Sequence, residues 1–184
     1  MATNNVNYGG GYATGMFYHA PVNTALPAYP TATLASAWEE VGYVGEDGIT
    51  FSPSIASDQL KDWSRTIRRT TPTEDSPTVQ VPIISTTSES LKTVFGSESV
   101  TAATASSSHG ATATVTITAN TMPDAEAFLF IGKDGEDSFM LGTTKGYISA
   151  VDDITFVPGD PITWNATIAA DSWTFMKDDG QKTT

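Results

Sequence analysis

Residues 128–141 read FLFIGKDGEDSFML. Two apolar runs, Phe128–Ile131 and Phe139–Leu141, flank Gly132-Lys133-Asp134-Gly135-Glu136-Asp137, where glycines and short acids favour a turn. The runs are too short for helices and rich in bulky side chains that pack well on a pleated surface. The segment therefore predicts a β-hairpin.

The same pattern recurs through the chain. Tyr147–Val157 and Ile162–Ala169 flank the tight turn Pro158-Gly159-Asp160, and Ile162, Trp164, Ala166 and Ile168 alternate with Thr163, Asn165 and Thr167. In Thr112–Ala119, Ala113, Val115, Ile117 and Ala119 alternate with four threonines, which predicts a half-buried strand. Residues 62–70 and 78–85 surround Pro72-Thr73-Glu74-Asp75-Ser76-Pro77 and predict a long hairpin over 62–86 with an acidic tip. Shorter strands are predicted at Met16–Tyr18 and over 43–51, the latter interrupted by a Gly-Glu-Asp-Gly turn.

Two short helices complete the pattern. Leu34, Trp38 and Val41 fall at i, i+4 and i+7 after Thr33, with Gly42 as a stop. Leu91, Val94 and Phe95 form an apolar face after a Thr87 or Ser88 cap, closed by Gly96. The Asn- and Gly-rich residues 1–15 read as a flexible arm and 97–110 as a mobile loop. The fold class expected is all-β, a mainly antiparallel sandwich or barrel with one or two short α-helices, forming a single domain over residues 16–184.

Composition narrows the chemistry. The chain has 184 residues, 21 Asp and Glu against nine Lys and Arg, and a formal charge of −12. Such a balance disfavours gripping nucleic acid or an anionic membrane, since both depend on Lys and Arg. Cysteine is absent, which excludes disulfides, thiol catalysis and Cys-ligated metals from this chain. The N-terminus carries neither a basic region nor an apolar run, so no signal peptide is expected. The longest apolar run, Ala127–Ile131, falls far short of a membrane helix.

No catalytic constellation stands out. His19 has no acidic or Ser partner nearby in sequence and reads as a surface or packed histidine; His109 sits in a Ser-rich linker without an orienting carboxylate. No metal site or cofactor is expected. The acidic turn after Gly132 lacks the ligand alternation of a calcium loop, and Asp152, Asp153 and Asp160 read as solvated turn carboxylates. Residues 124–160 hold eight acids (Asp124, Glu126, Asp134, Glu136, Asp137, Asp152, Asp153 and Asp160) against two lysines, a net of −6. All three arginines, Arg65, Arg68 and Arg69, cluster beside Lys61. They have two expected partners: acids of a neighbouring subunit, or this chain's own Glu74 and Asp75.

The ordered series Ala20-Pro21, Leu26-Pro27, Leu34, Trp38, Gly42-Tyr43, Glu46-Asp47-Gly48-Ile49-Thr50, Asp58, Trp63, Arg69-Thr70 and the helix Ser90–Phe95 with Gly96 resembles the major tail tube proteins of long-tailed bacteriophages, especially those of actinobacteria. That resemblance implies a β-sandwich or barrel flanked by a helix. It implies a non-enzymatic virion protein, made and assembled in the host cytoplasm, whose six-membered rings stack into a tube. The implied partners are further copies of the chain and the tape measure, tail terminator and distal tail proteins, with DNA passing through the lumen without specific binding. On this reading Lys61, Arg65, Arg68, Arg69, Glu74 and Asp75 are subunit-interface candidates, and the eight acids are candidates for the lumen or an acidic surface. The competing reading is a carbohydrate-binding or adhesin-like sandwich using Trp38, Trp63, Trp164 or Trp173 as stacking platforms, with Trp38 and Trp164 expected in the core.

Overall fold

The structure is a computed structural model that describes residues 17–54, 57–72, 76–118, 122–134 and 136–180. In chain order the strands are β1 (Phe17–Pro21), β2 (Glu39–Gly42), β3 (Thr50–Ser52), β4 (Ser57–Lys61), β5 (Ile67–Pro72) and β6 (Thr78–Ile83). Helix α1 (Ser88–Phe95) follows, then β7 (Val100–Ala103), β8 (Thr112–Val115), β9 (Glu126–Asp134), β10 (Asp137–Val151), β11 (Trp164–Ala170) and β12 (Thr174–Asp178). The all-β expectation holds, with one α-helix and one 3-10 turn, at Ser97–Ser99, among the described residues.

Eight strands form one antiparallel sheet in the order β2-β1-β9-β10-β11-β6-β3, with β12 also on β10. The hairpin expected from residues 128–141 is β9–β10, in unbroken register from Asp134↔Asp137 to Phe128↔Thr143. Strands β11 and β12 lie on the same edge of β10 and keep one register, Gly146↔Ala170 and Gly142↔Thr174, so they act as a single long strand interrupted at residues 171–173.

The sheet curls until its two edges share one segment. After β2 pairs with β1, the chain crosses at Gly42 and bonds to β6, with Gly45 N donating to Pro82 O (2.7 Å) and Ile84 N to Tyr43 O (3.0 Å). Gly42 takes φ +132°, and a Cβ there would collide with Ser85, whose hydroxyl receives the Tyr43 amide. Only glycine fits that crossing.

Inside the curl lie Phe17, Val41, Val79, Val81, Ile83, Phe128, Phe130, Leu141, Ile148, Ala166 and Ile168, with Val94 of α1 packed on them. Phe17 and Phe130 stack with centroids 4.5 Å apart. The outer face of β9 and β10 is also covered: Ala127, Leu129, Ile131 and Met140 pack with Ala20 and Trp38, under Leu26 and Leu34. That two-sided burial explains why 127–131 is a continuous apolar run rather than an alternating one.

Five expectations fail for local reasons. Residues 33–42 are not helical: Leu34 and Trp38 cover the outer face while Val41 enters the inner core, so their helical spacing serves two opposite surfaces. The hairpin 62–86 does not form, because β5 pairs with β4 while β6 pairs with β11 and β3; the actual hairpin is 57–72. The segment 97–110 opens with a 3-10 turn and then β7, which pairs with β8 as a second small sheet. Strand β8 ends at Val115, and no residue of it is fully buried; Ile117 is 71% exposed, so an alternation of Thr with Ala and one Val had imitated a half-buried strand. Strand β10 likewise stops at Val151, leaving Phe156 and Val157 exposed. The arm 1–15 lies outside the described residues.

Helix α1 matches its sequence signals. Thr87 caps it, with Thr87 Oγ1 accepting from Ser90 N and the Thr87 amide donating to Ser90 Oγ, and Gly96 ends it at φ +86°.

Because both faces of β9 are buried, Leu129→Ala should cost about 2–5 kcal/mol and Phe130→Ala about 3–5 kcal/mol in denaturant unfolding. A loss below about 0.5 kcal/mol for Leu129→Ala would mean that the outer cover of 22–38 is not there.

Candidate functional site

The β4–β5 hairpin leaves the main sheet and carries the chain's three arginines. Its tip, Asp62–Thr66, is organised by one carboxylate. Asp62 Oδ1 accepts from the Ser64 hydroxyl (2.7 Å) and the Thr66 amide (2.9 Å), while Oδ2 takes a bidentate grip from Arg68, Nε at 2.7 Å and Nη2 at 2.6 Å. Backbone bonds from Arg65 N to Asp62 O (2.9 Å) and Asp62 N to Thr66 O (3.0 Å) close the turn. Arg65 sits at φ +62°, a left-handed conformation that a non-glycine residue keeps only when its neighbours enforce it. The Ser64 hydroxyl, the Thr66 amide and Arg68, in that order, hold the Asp62 carboxyl below its ordinary value.

That tip displays side chains to solvent. Trp63 is fully exposed, Leu60 and Ile67 are exposed, and Lys61, Arg65, Arg68 and Arg69 all stand outward. Arg68 spends its charge on Asp62; Arg65, Arg69 and Lys61 make no ion pair among the described residues. Glu74 and Asp75 lie outside the described residues.

The eight acids do not gather into one patch. Asp134, Glu136 and Asp137 mark the β9–β10 turn, where Asp137 pairs with Lys177 at 3.0 Å. Asp152 lies just beyond the other end of β10, fifteen residues on, or up to roughly 50 Å for an extended strand. There Asp152 accepts from Gln80 Nε2 (3.0 Å), and Asp153 and Asp160 line one shallow pocket. Asp124 and Glu126 sit beside His19. His19 is packed, and its acidic partners come from far along the chain: Glu126 Oε2 is 3.0 Å from Nδ1 and Glu39 Oε2 3.9 Å from Nε2.

A family model described as phage tail tube protein matches residues 1–179. The chain belongs to that family.

This tail tube protein is therefore a structural component of the virion that assembles with itself and other tail proteins, and its family is not an enzyme family. The cryo-EM structure of the anti-feeding prophage cap, the AFP tube terminating cap, superposes with a TM-score of 0.45 at 10% identity, over 97% of this chain and 100% of that one. No curated protein matches the sequence. No helix of the described residues is long and apolar enough to cross a membrane.

The tryptophans of the tail tube protein divide as follows. Trp38 is buried; Trp164 and Trp173 pack against the inner core, donating to Thr86 Oγ1 and Pro77 O, both at 3.1 Å. Only Trp63 offers an open ring face. The role of Asp62 was missed from sequence, although an Asp with Ser64 and Thr66 two and four residues on carries an Asx-turn signal.

Asp62→Ala should speed amide exchange at Arg65 and Thr66 at least tenfold while shifting the global Tm by no more than about 2 °C, because the tip buries nothing. In the wild-type protein the depressed carboxyl contributes tip order above the usual carboxylate range and gives it up as pH falls through its lowered value. Exchange at Thr66 should therefore rise at acidic pH before global unfolding, which NMR reads directly.

Proposed function

We propose that this protein builds the tail tube of a long-tailed, siphovirus-type phage of the actinobacteriophage kind, as six-membered rings that stack and conduct genome DNA through their bore. Family membership gives the tail tube role; the observation supporting its extension is the β4–β5 hairpin. An isolated two-stranded hairpin is at best marginally stable in water. This one holds a fixed tip and presents Trp63, Leu60 and Ile67 to solvent, an apolar surface that favours burial against another molecule. Its cations Arg65, Arg69 and Lys61 suit acids on the next copy of a chain whose formal charge is −12.

On this reading residues 16–184 form one tube-building domain behind an N-terminal arm. The contact elements are the hairpins 57–72 and 100–115, replacing 62–86 and 97–110. Stacking is head-to-tail and open-ended, which generates a tube rather than a closed cage. Part of the acidic set faces the lumen, where negative charge repels phosphate and keeps DNA from adhering. Tape measure, terminator and distal tail proteins set its length and ends, and assembly takes place in the host cytoplasm.

Negative-stain electron microscopy of the concentrated protein, with light scattering on the same sample, should show hollow rings or tubes of uniform width. A strict monomer at all concentrations would count against self-driven tube building. The double variant Arg65→Glu, Arg69→Glu should keep the wild-type Tm while assembled mass falls at least tenfold. Undiminished assembly would remove the hairpin cations from the interface.

A further inference from the structure

The residues around His19 form a cluster whose chemistry is not explained by packing. Three neighbouring strands each carry one apolar row into the inner core: Phe17 on β1, Val41 on β2 and Phe128 on β9. Two residues further along each row, at the same end of the curled sheet, the rows turn polar, to His19, Glu39 and Glu126 respectively. The register sets Glu39 directly across from His19, and opposed residues in an antiparallel pair share a face. Helix α1 adds Glu89 from above. One ligand atom each from His19, Glu39 and Glu89 falls within 4.8 Å of the others.

The hydrogen bonding gives this cluster a direction. Glu126 Oε2 lies 3.0 Å from His19 Nδ1 and, as a carboxylate, accepts there, which turns Nε2 toward the other side of the ring. Nε2 is buried and has no hydrogen-bond partner among the described residues. Glu39 Oε2 lies 3.9 Å from it, beyond hydrogen-bond reach, and Glu89 belongs to the same cluster. A buried ring nitrogen without a partner, set beside two carboxylates, is an arrangement that a cation completes. A carboxylate bonded to the far nitrogen of an imidazole is also the arrangement that orients histidine ligands in metal proteins.

We propose that His19 Nε2, Glu39 and Glu89 bind a divalent cation of the zinc type, with Glu126 as the positioning residue behind His19. A mixed imidazole and carboxylate set suits zinc and its transition-metal neighbours better than magnesium or calcium, which prefer oxygen alone. Zinc bonds of 2.0–2.2 Å place ligand atoms roughly 3.4 Å apart, so a spread of up to 4.8 Å asks for a contraction of up to about 1.4 Å. Glu39, whose side chain is 63% exposed, is free to supply it by rotation. Glu89 holds Lys92 on Oε1 at 2.9 Å, and its second oxygen remains for the metal. An open cavity of about 760 Å³, lined by His19, Glu39, Glu126 and Lys145, lies beside the cluster. Bound there, the ion ties α1 to the paired strands β1 and β2.

Isothermal titration of EDTA-treated protein with zinc chloride, and with magnesium chloride as the control, tests this on assembled and unassembled protein alike. One zinc per chain is expected, with no saturable magnesium binding. His19→Gln should abolish the zinc signal, Glu39→Gln and Glu89→Gln should each weaken it at least tenfold, and Glu126→Gln about ten- to a hundredfold. Thermal melts in EDTA establish that each variant is folded, and Glu39→Gln, on an exposed side chain, serves if His19→Gln does not fold. The absence of saturable zinc binding, or zinc binding that is unchanged in Glu39→Gln and Glu89→Gln, would overturn the proposal.

Discussion

Strand β9 is buried on both sides, and most of the fold answers that one demand. Phe128 and Phe130 on one face need the curled sheet and Val94 of α1; Ala127, Leu129 and Ile131 on the other need the loop 22–38 with Leu26, Leu34 and Trp38. A strand left wet on either side would expose large apolar side chains, each worth about 1.5–3 kcal/mol on burial. The closure through residues 39–52 follows from the same pressure, because it draws Val41 and Ile83 together over the inner row. Gly42 is the backbone concession that makes the crossing sterically feasible.

Much of this was legible in residues alone wherever a signal was local. The β9–β10 hairpin, the Thr87 cap and the Gly96 stop each depend on chemistry within a few positions, and each appears in the structure. The misreadings share one cause: periodicity says which side chains agree with one another, not which surface they meet. Leu34, Trp38 and Val41 keep helical spacing while serving opposite faces of a sheet. Thr112–Val115 alternates like a buried strand yet has only β7 beside it and little above it. Partner choice was also hidden, since β5 and β6 are adjacent in sequence but their registers belong to β4 and β11.

The functional residues follow the same division. The cationic run Lys61–Arg69 was plain in sequence, and the structure sets it on one projecting hairpin. The surroundings of His19 were invisible, because Glu39, Glu89 and Glu126 arrive from 20, 70 and 107 positions away and only strand register and the docking of α1 bring them together. The acidic stretch 124–160 was visible as a number but not as a surface. A single long strand, β10, carries its members to opposite ends of the molecule.

The hairpin tip is held by Asp62 and a strained Arg65, apart from either hydrophobic cluster. Its shape is thus decided before any encounter, and little conformational freedom remains to be surrendered on docking. It follows that selection on this tip is decoupled from selection on the fold. Substitutions at Trp63 or Arg65 change what this projecting surface presents without touching either hydrophobic cluster.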